Sequence, residues 1–178
     1  MKLVEPLMTE RLMLRTLEPA DAGGAYLAWM NDPEIMRFTE SRDASHDAAA
    51  LKGFIEAMNA SEDNLLLGLI ATEQGSHIGN IKLGPIDRRH QRAWIGIIIG
   101  DRARWGQGLA SEAIDAIAQC GLTDLGLRRI AAGIYSDNRG SVGAFAKAGF
   151  REVARLPGWS LSEGASTDDI IMMRGVDM

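Results

Sequence analysis

The period of apolar residues changes several times along the chain, and each change marks an element. "RLMLRTL" (11–17) alternates apolar and polar positions, the pattern of a half-buried strand. "EPADAGGAYLAWMND" (18–32) moves to helical spacing; Pro19 suits a first turn, and Asp21 puts negative charge near a helix start. In residues 47–61, Leu51, Phe54, Ile55 and Met58 fall on one helical face behind Asp47, a capping residue type. Two apolar runs follow, "NLLLGLIAT" (64–72) and "HIGNIKLGPI" (77–86), and the "EQGS" between them predicts a hairpin turn. "AWIGIIIG" (93–100) is apolar throughout, which predicts a central strand buried on both faces.

The second half holds the clearest helix. In residues 109–125, Leu109, Ala113, Ile117 and Leu125 share a stripe with Ala110, Ile114 and Leu122, while Glu112, Asp115 and Gln119 face away. "RIAAGIY" (129–135) predicts a strand, and "SVGAFAKAGF" (141–150) a short helix closed by Gly149. Two strands end the chain, 150–156 and 168–174, with "PGWSLSEGAST" (157–167) between them as part strand and part loop. Strands outnumber helices, and one strand–helix–strand unit lies in the second half. The fold class is therefore α/β or α+β, with a partly antiparallel sheet.

Composition narrows the setting. A chain of 178 residues suits one domain spanning 1–178. No apolar run is long enough for a membrane span, and Glu5, Pro6, Glu10 and Arg11 break any signal-peptide core at the N-terminus. The single cysteine, Cys120, cannot form an internal disulfide, which suits a reducing cytoplasm. A net charge of −5 argues against general nucleic-acid binding. It leaves room for a local cationic patch, and basic residues cluster at 88–92, 102–104, 128–129 and Arg139, where solvated loop charge is the plainer reading. Nothing predicts a metal.

"RWGQGLASEA" (104–113) places two glycines where the long helix must start. The first N–H groups of a helix have no intrahelical partner and sit at the positive end of its dipole. Glycines there permit positive φ and let an anion approach the backbone, as at phosphate sites. A plain tight turn before the helix explains the same glycines. The stretch lacks the Lys-Ser/Thr pair of a P-loop. A dinucleotide fold matches only as Gly106-x-Gly108-x-x-Ser111, which leaves a nucleotide-binding oxidoreductase as a remote alternative.

"GDRARWGQGLASEAI" followed by "SDNRGSVGAFAKAGF" resembles the two cofactor motifs of the GNAT superfamily of acetyl-CoA-dependent N-acetyltransferases. Trp105 stands where the superfamily's phosphate loop usually begins with Gln or Arg; Asn138, Ser141, Lys147, Gly149 and Phe150 match the second motif. "TERLMLR", "HIGNIKL" and "WGQGLASEA" are similar to the RimJ/RimL-like branch, which acetylates ribosomal-protein N-termini. The resemblance covers nearly the whole chain and is strongest from about residue 93 to 150. It implies a mixed sheet of about seven strands splayed into a V, flanked by about four helices. Pantetheine would pair with the backbone of Ile97, Ile98 and Ile99. The pyrophosphate would meet Trp105, Gly106, Gln107, Gly108, Leu109 and Ala110, with Ser111, Asn138 and Phe145 completing the cofactor site.

The catalytic residues depart from the family. Where many members carry a basic glutamate, this chain has Ala93-Trp94-Ile95; where many carry an acidic tyrosine, it has Phe145. Ser141, read as one helical turn before Phe145 on the same face, becomes the candidate acid, with a helix cap as its other reading. Asn138 is a pantetheine partner, a group orienting a water, or a turn residue. Asp32, Glu34, His90 and Glu163 are candidate bases beside a water relay; His46 and His77 read as surface residues. Residues 29–43, with Arg37 and Arg42, and 157–167, with Trp159, are the segments placed to grip an acceptor. Arg37 and Arg42 suit a phosphate or carboxylate, or a surface ion pair. The expected activity is acetyl transfer from acetyl-CoA to a primary amine, a protein N-terminus or a small molecule such as an amino sugar. Loss of both usual catalytic groups keeps a non-catalytic acyl-CoA-binding or regulatory module as the alternative. The expected partners are acetyl-CoA and an amine acceptor, with a homodimer left open and neither nucleic acid nor membrane expected.

Overall fold

The computed structural model describes residues 1–162 and 164–176. The strands are β1 (Leu7–Met8), β2 (Leu12–Thr16), β3 (Leu65–Ala71), β4 (Ser76–Leu83), β5 (Arg92–Ile99), β6 (Arg129–Tyr135), β7 (Arg151–Ser162) and β8 (Ala165–Gly175). The α-helices are α1 (Gly24–Met30), α2 (Pro33–Met36), α3 (Ala48–Ala60), α4 (Leu109–Thr123) and α5 (Arg139–Lys147), with short 3-10 turns at Pro19–Ala22 and Arg102–Arg104. The eight strands form one sheet in the order β1-β2-β3-β4-β5-β6-β8-β7. This is the α+β fold that the sequence pattern predicts, one strand larger than expected.

Local chemistry accounts for most boundaries. The Asp47 carboxylate accepts from the Ala50 N–H at 2.7 Å and caps α3. Gly75, at φ 65°, closes the β3–β4 hairpin, in which Ala71 pairs with Ser76. α5 begins two residues earlier than the apolar pattern suggested, because Asn138 is its cap: the Asn138 side chain accepts from the Ser141 N–H at 3.1 Å. Residues 157–167, expected to be part loop, belong largely to the long β7–β8 hairpin.

Two apolar layers cover the sheet. On one face, α4 and α5 pack through Ala113, Ile114, Ile117, Ala118 and Phe145 onto Ile81, Leu83, Ala93, Ile95, Ile130 and Met172. On the other, Tyr26, Trp29, Met36, Leu51 and Ile55 cover Leu66 and Ile98. That second layer stops at Ile98, and this corrects the expectation for β5. Trp94 is 43% exposed and Gly96 is exposed, so this part of the strand buries only the face that carries Ala93 and Ile95, and Ile97, Ile98 and Ile99 are half-buried. His77 is also corrected: it is half-buried, its ring 5.0 Å from Trp29 and its Nε2 2.8 Å from the Asn80 Oδ1. His46 is half-buried too.

The feature that makes a site is one parallel pair. β5 pairs with β6 only through Arg92, Ala93 and Trp94, opposite Arg129, Ile130 and Ala131. Beyond that point β5 stays with β4, Ile95 to Ile99 opposite Leu83 to Gly79, and leaves β6. The two strands open into a V.

Candidate active site

The strand backbone decides what the V offers. The Trp94 carbonyl accepts from Gly84 N–H on the β4 side. Backbone groups alternate sides along a strand. The N–H and C=O of Ile97 and Ile99 therefore point into the V, where β6 has withdrawn. The cleft continuing from this edge has a volume of about 710 Å³. Its walls include Ile97, Ile98, Ile99, Trp105, Gly106, Gly108, Leu109, Ala110, Ser111, Asn138 and Ser141. Eleven expected site residues, scattered over 45 positions of sequence, thus line one cavity.

At the head of the cleft, Gly106 and Gly108 have φ of 73° and 81°. Gly108 is the left-handed N-cap of α4. This backbone disfavours any side-chain-bearing residue and turns the loop so that the helix start faces the cavity. Arg37, Arg104, Arg139 and Lys147 line the cleft against Glu34 and Asp137, a locally cationic wall on an acidic chain. The donor set fits a pyrophosphate followed by an amide-bearing chain: helix-end N–H groups and cations first, then the strand edge from which β6 has withdrawn, with both backbone groups of Ile97 and the N–H of Ile99 facing the V. Trp105 bridges the two parts, its indole N–H donating to the Ile99 carbonyl at 2.8 Å.

Two expected cofactor residues do not line the cavity. The Gln107 side chain turns back to donate to the Ala103 carbonyl at 2.7 Å. Phe145 is 2% exposed in the core, edge-on to Phe150 at 5.0 Å. It stands one helical turn from Ser141, as expected, but of the two only Ser141 reaches the cleft, together with Gly140, Gly143, Ala144 and Lys147 of α5. Ala144, which lines the cleft, carries no hydroxyl. Because Asn138 caps the helix, the cap reading of Ser141 falls away.

The candidate bases separate. Asp32 caps α2 and pairs with Arg102 at 2.8 Å, so its carboxylate is committed. Glu34 lines the cleft and pairs with the same guanidinium. His90 lies in the turn before β5, where its N–H donates to Asp87, away from the cleft walls. Glu163 lies outside the described residues. Cys120 is buried, which pushes its thiol up to about 11 and keeps it from serving as a thiolate.

Sequence reasoning named Arg42 but missed the cluster that it forms with Glu40 and Tyr135. Tyr135 ends β6; its hydroxyl donates to Glu40 and accepts from Arg42 Nη1 at 3.0 Å. Burial and the bond to Glu40 hold this phenol above its usual value, against the pull of Arg42. Arg42 also donates to the Leu161 carbonyl at 2.9 Å, tying the segment after α2 to β7. Phe38 packs against Tyr135 at 6.2 Å and, with Thr39, lines the cleft. No local pattern marked Tyr135, since it read only as the last residue of a strand. Arg37 sits 4.9 Å over the Phe38 ring.

The acetyltransferase (GNAT) domain family model matches residues 11–151. The chain belongs to the GNAT acetyltransferase family. It is an acetyl-CoA-dependent N-acetyltransferase. A Bacillus licheniformis protein named as the uncharacterized N-acetyltransferase p20 is 32% identical over 168 residues, covering 93% of both chains. Among solved structures, the GNAT fold aligns with RimL, the ribosomal L7/L12 α-N-protein acetyltransferase in complex with coenzyme A. The TM-score is 0.85 at 15% identity, with 97% of this chain and 99% of that one covered. The Vibrio cholerae spermidine N-acetyltransferase, in complex with CoA and spermine, aligns with a TM-score of 0.83 at 22% identity, covering 94% and 96%. Among the described residues, no helix is long and apolar enough to cross a membrane.

Proposed function

We propose that this chain transfers the acetyl group of acetyl-CoA to a primary amine, a protein N-terminus or a small amine such as an amino sugar, in the V between β5 and β6. The observation that supports this reading is the backbone edge of Ile97 and Ile99 from which β6 has withdrawn. It runs directly into the helix start at Gly106–Gly108, with the Ser141 side of α5 opposite. CoA in the RimL structure and CoA with spermine in the spermidine enzyme support the same ligand class.

The chain's own groups divide the work. The N–H groups from Trp105 to Ala110 hold the pyrophosphate, and the edge of Ile97 and Ile99 aligns the pantetheine amides. An N–H of that edge stabilises negative charge building on the reacting carbonyl oxygen. Ser141 donates a hydrogen bond to the departing sulfur and relays to it a proton from solvent, which takes one from the amine. The amine loses its proton to water, since Asp32 and Glu34 are held by Arg102. The acceptor enters past Phe38, Thr39 and the Glu40–Tyr135–Arg42 cluster.

Free thiol release from acetyl-CoA, measured over N-terminal peptides, polyamines, aminoglycosides and amino-sugar nucleotides, identifies the acceptor. With that acceptor, Ser141→Ala should lower kcat by about 10²-fold or more, while CoA affinity stays within about threefold. No acetylation of any amine, or unchanged kcat in the variant, would sink the transfer reading or the role of Ser141 respectively.

A further inference from the structure

The glycine loop is held from outside the cleft as well as from within. Arg11, directly before β2, donates from Nη1 to the Gln107 carbonyl at 2.9 Å. Its Nε donates to Glu112 Oε2 at 2.8 Å, and its main-chain N–H donates to Glu112 Oε1 at 2.7 Å. The Thr9 hydroxyl donates to the same Oε1 at 2.5 Å. Glu112 lies in the first turn of α4, four residues after Gly108.

Two consequences follow from this geometry. In a trans peptide the C=O and the next N–H point in opposite directions. Holding the Gln107 carbonyl outward therefore turns the Gly108 N–H inward, and Gly108 lines the cleft. The second consequence is electrostatic. A carboxylate in the first turn of a helix suits the dipole but repels an anion bound at the same end. Arg11 cancels that charge where it stands.

We propose that Arg11, acting with Thr9 and Glu112, is a positioning residue of the cofactor site. It orients the Gln107–Gly108 peptide toward the pyrophosphate and neutralises the carboxylate at the helix start. This rests on the reading of the loop as the pyrophosphate seat. It also gives a physical reason for "TERLMLR" and "WGQGLASEA" to occur in one chain, since Thr9 and Arg11 of the first stretch grip Gln107 and Glu112 of the second.

The test uses the full chain and calorimetry with two probes, CoA and pantetheine, which lacks the pyrophosphate. The arginine side of the Arg11–Glu112 pair is half-exposed and the glutamate side mostly buried, but Glu112 keeps the Thr9 hydroxyl and the main-chain N–H of residue 11, so Arg11→Met should fold with a modestly lowered melting temperature. It should weaken CoA binding about tenfold or more and pantetheine binding less than about twofold. In turnover, KM for acetyl-CoA should rise while kcat holds. Arg11→Lys, which keeps charge but lacks the fork, should fall between wild type and Arg11→Met. Wild-type CoA affinity in folded Arg11→Met, or equal losses for both probes, would overturn the proposal. If Arg11→Met does not fold, Arg11→Lys with wild-type CoA affinity overturns it. Wild-type protein binding CoA no better than pantetheine would instead refute the pyrophosphate seat.

Discussion

Replacing Gly108 by valine separates the loop's service to a ligand from its service to the fold. The native φ is 81°, and a Cβ built there meets nothing closer than Arg11 Nη2 at 3.7 Å. Space is therefore available, and the cost is conformational. A side-chain-bearing residue held in a sparsely populated backbone region costs about 1–3 kcal/mol, against a typical domain stability of about 5–15 kcal/mol. The variant should fold. If the loop relaxes to relieve the strain, the N–H groups leave their aim. Charge-assisted hydrogen bonds are worth about 1.5–3 kcal/mol each, so losing two removes about 3–6 kcal/mol of binding. Gly126→Val is the control. Its φ is 65° with nothing within 4 Å of the added Cβ, and it lies off the cleft walls between α4 and β6. Both variants should keep a native circular dichroism spectrum with lowered melting temperatures. Only Gly108→Val should lose CoA affinity in calorimetry, by at least about tenfold. Folded Gly108→Val binding CoA like Gly126→Val would show that the glycines serve the turn alone.

Two further predictions address the core and acid stability. Phe145→Tyr places a hydroxyl where the structure buries a ring among apolar neighbours, so chemical denaturation should show a loss of about 1–3 kcal/mol with no gain in turnover; a faster enzyme would put that ring on the cleft after all. Arg15 donates two hydrogen bonds to Asp21, at 2.7 and 2.8 Å, and this chiefly lowers the carboxyl below its ordinary value of 3.8. A depressed folded value stabilises the protein fully above the ordinary value and ceases to as pH falls through the folded one. Melting temperature should therefore drop more steeply below about pH 4 in wild type than in Asp21→Asn, and parallel acid profiles would exclude the pair as a source of acid sensitivity.

Much of this protein was legible locally. Apolar period fixes element type, so β2, β3, β4, β6 and α4 fall close to where the pattern put them. The glycine loop was legible for the same reason: helix-end donors and positive φ are properties of ten consecutive residues. Period gives spacing but not phase, which depends on what packs against each face. That is why Phe145 could be read as a cofactor-site residue, when α4 and the sheet take Phe145 and leave Ala144 to the cleft. It is also why "AWIGIIIG" reads as wholly buried, although the α1–α3 layer ends at Ile98 and leaves Trp94 in water. The remaining features join residues far apart in sequence: Arg11 with Gln107 and Glu112, and Tyr135 with Glu40 and Arg42. No local window contains both members of such a pair. The order of the strands, and the point where β5 leaves β6, decides which of them meet.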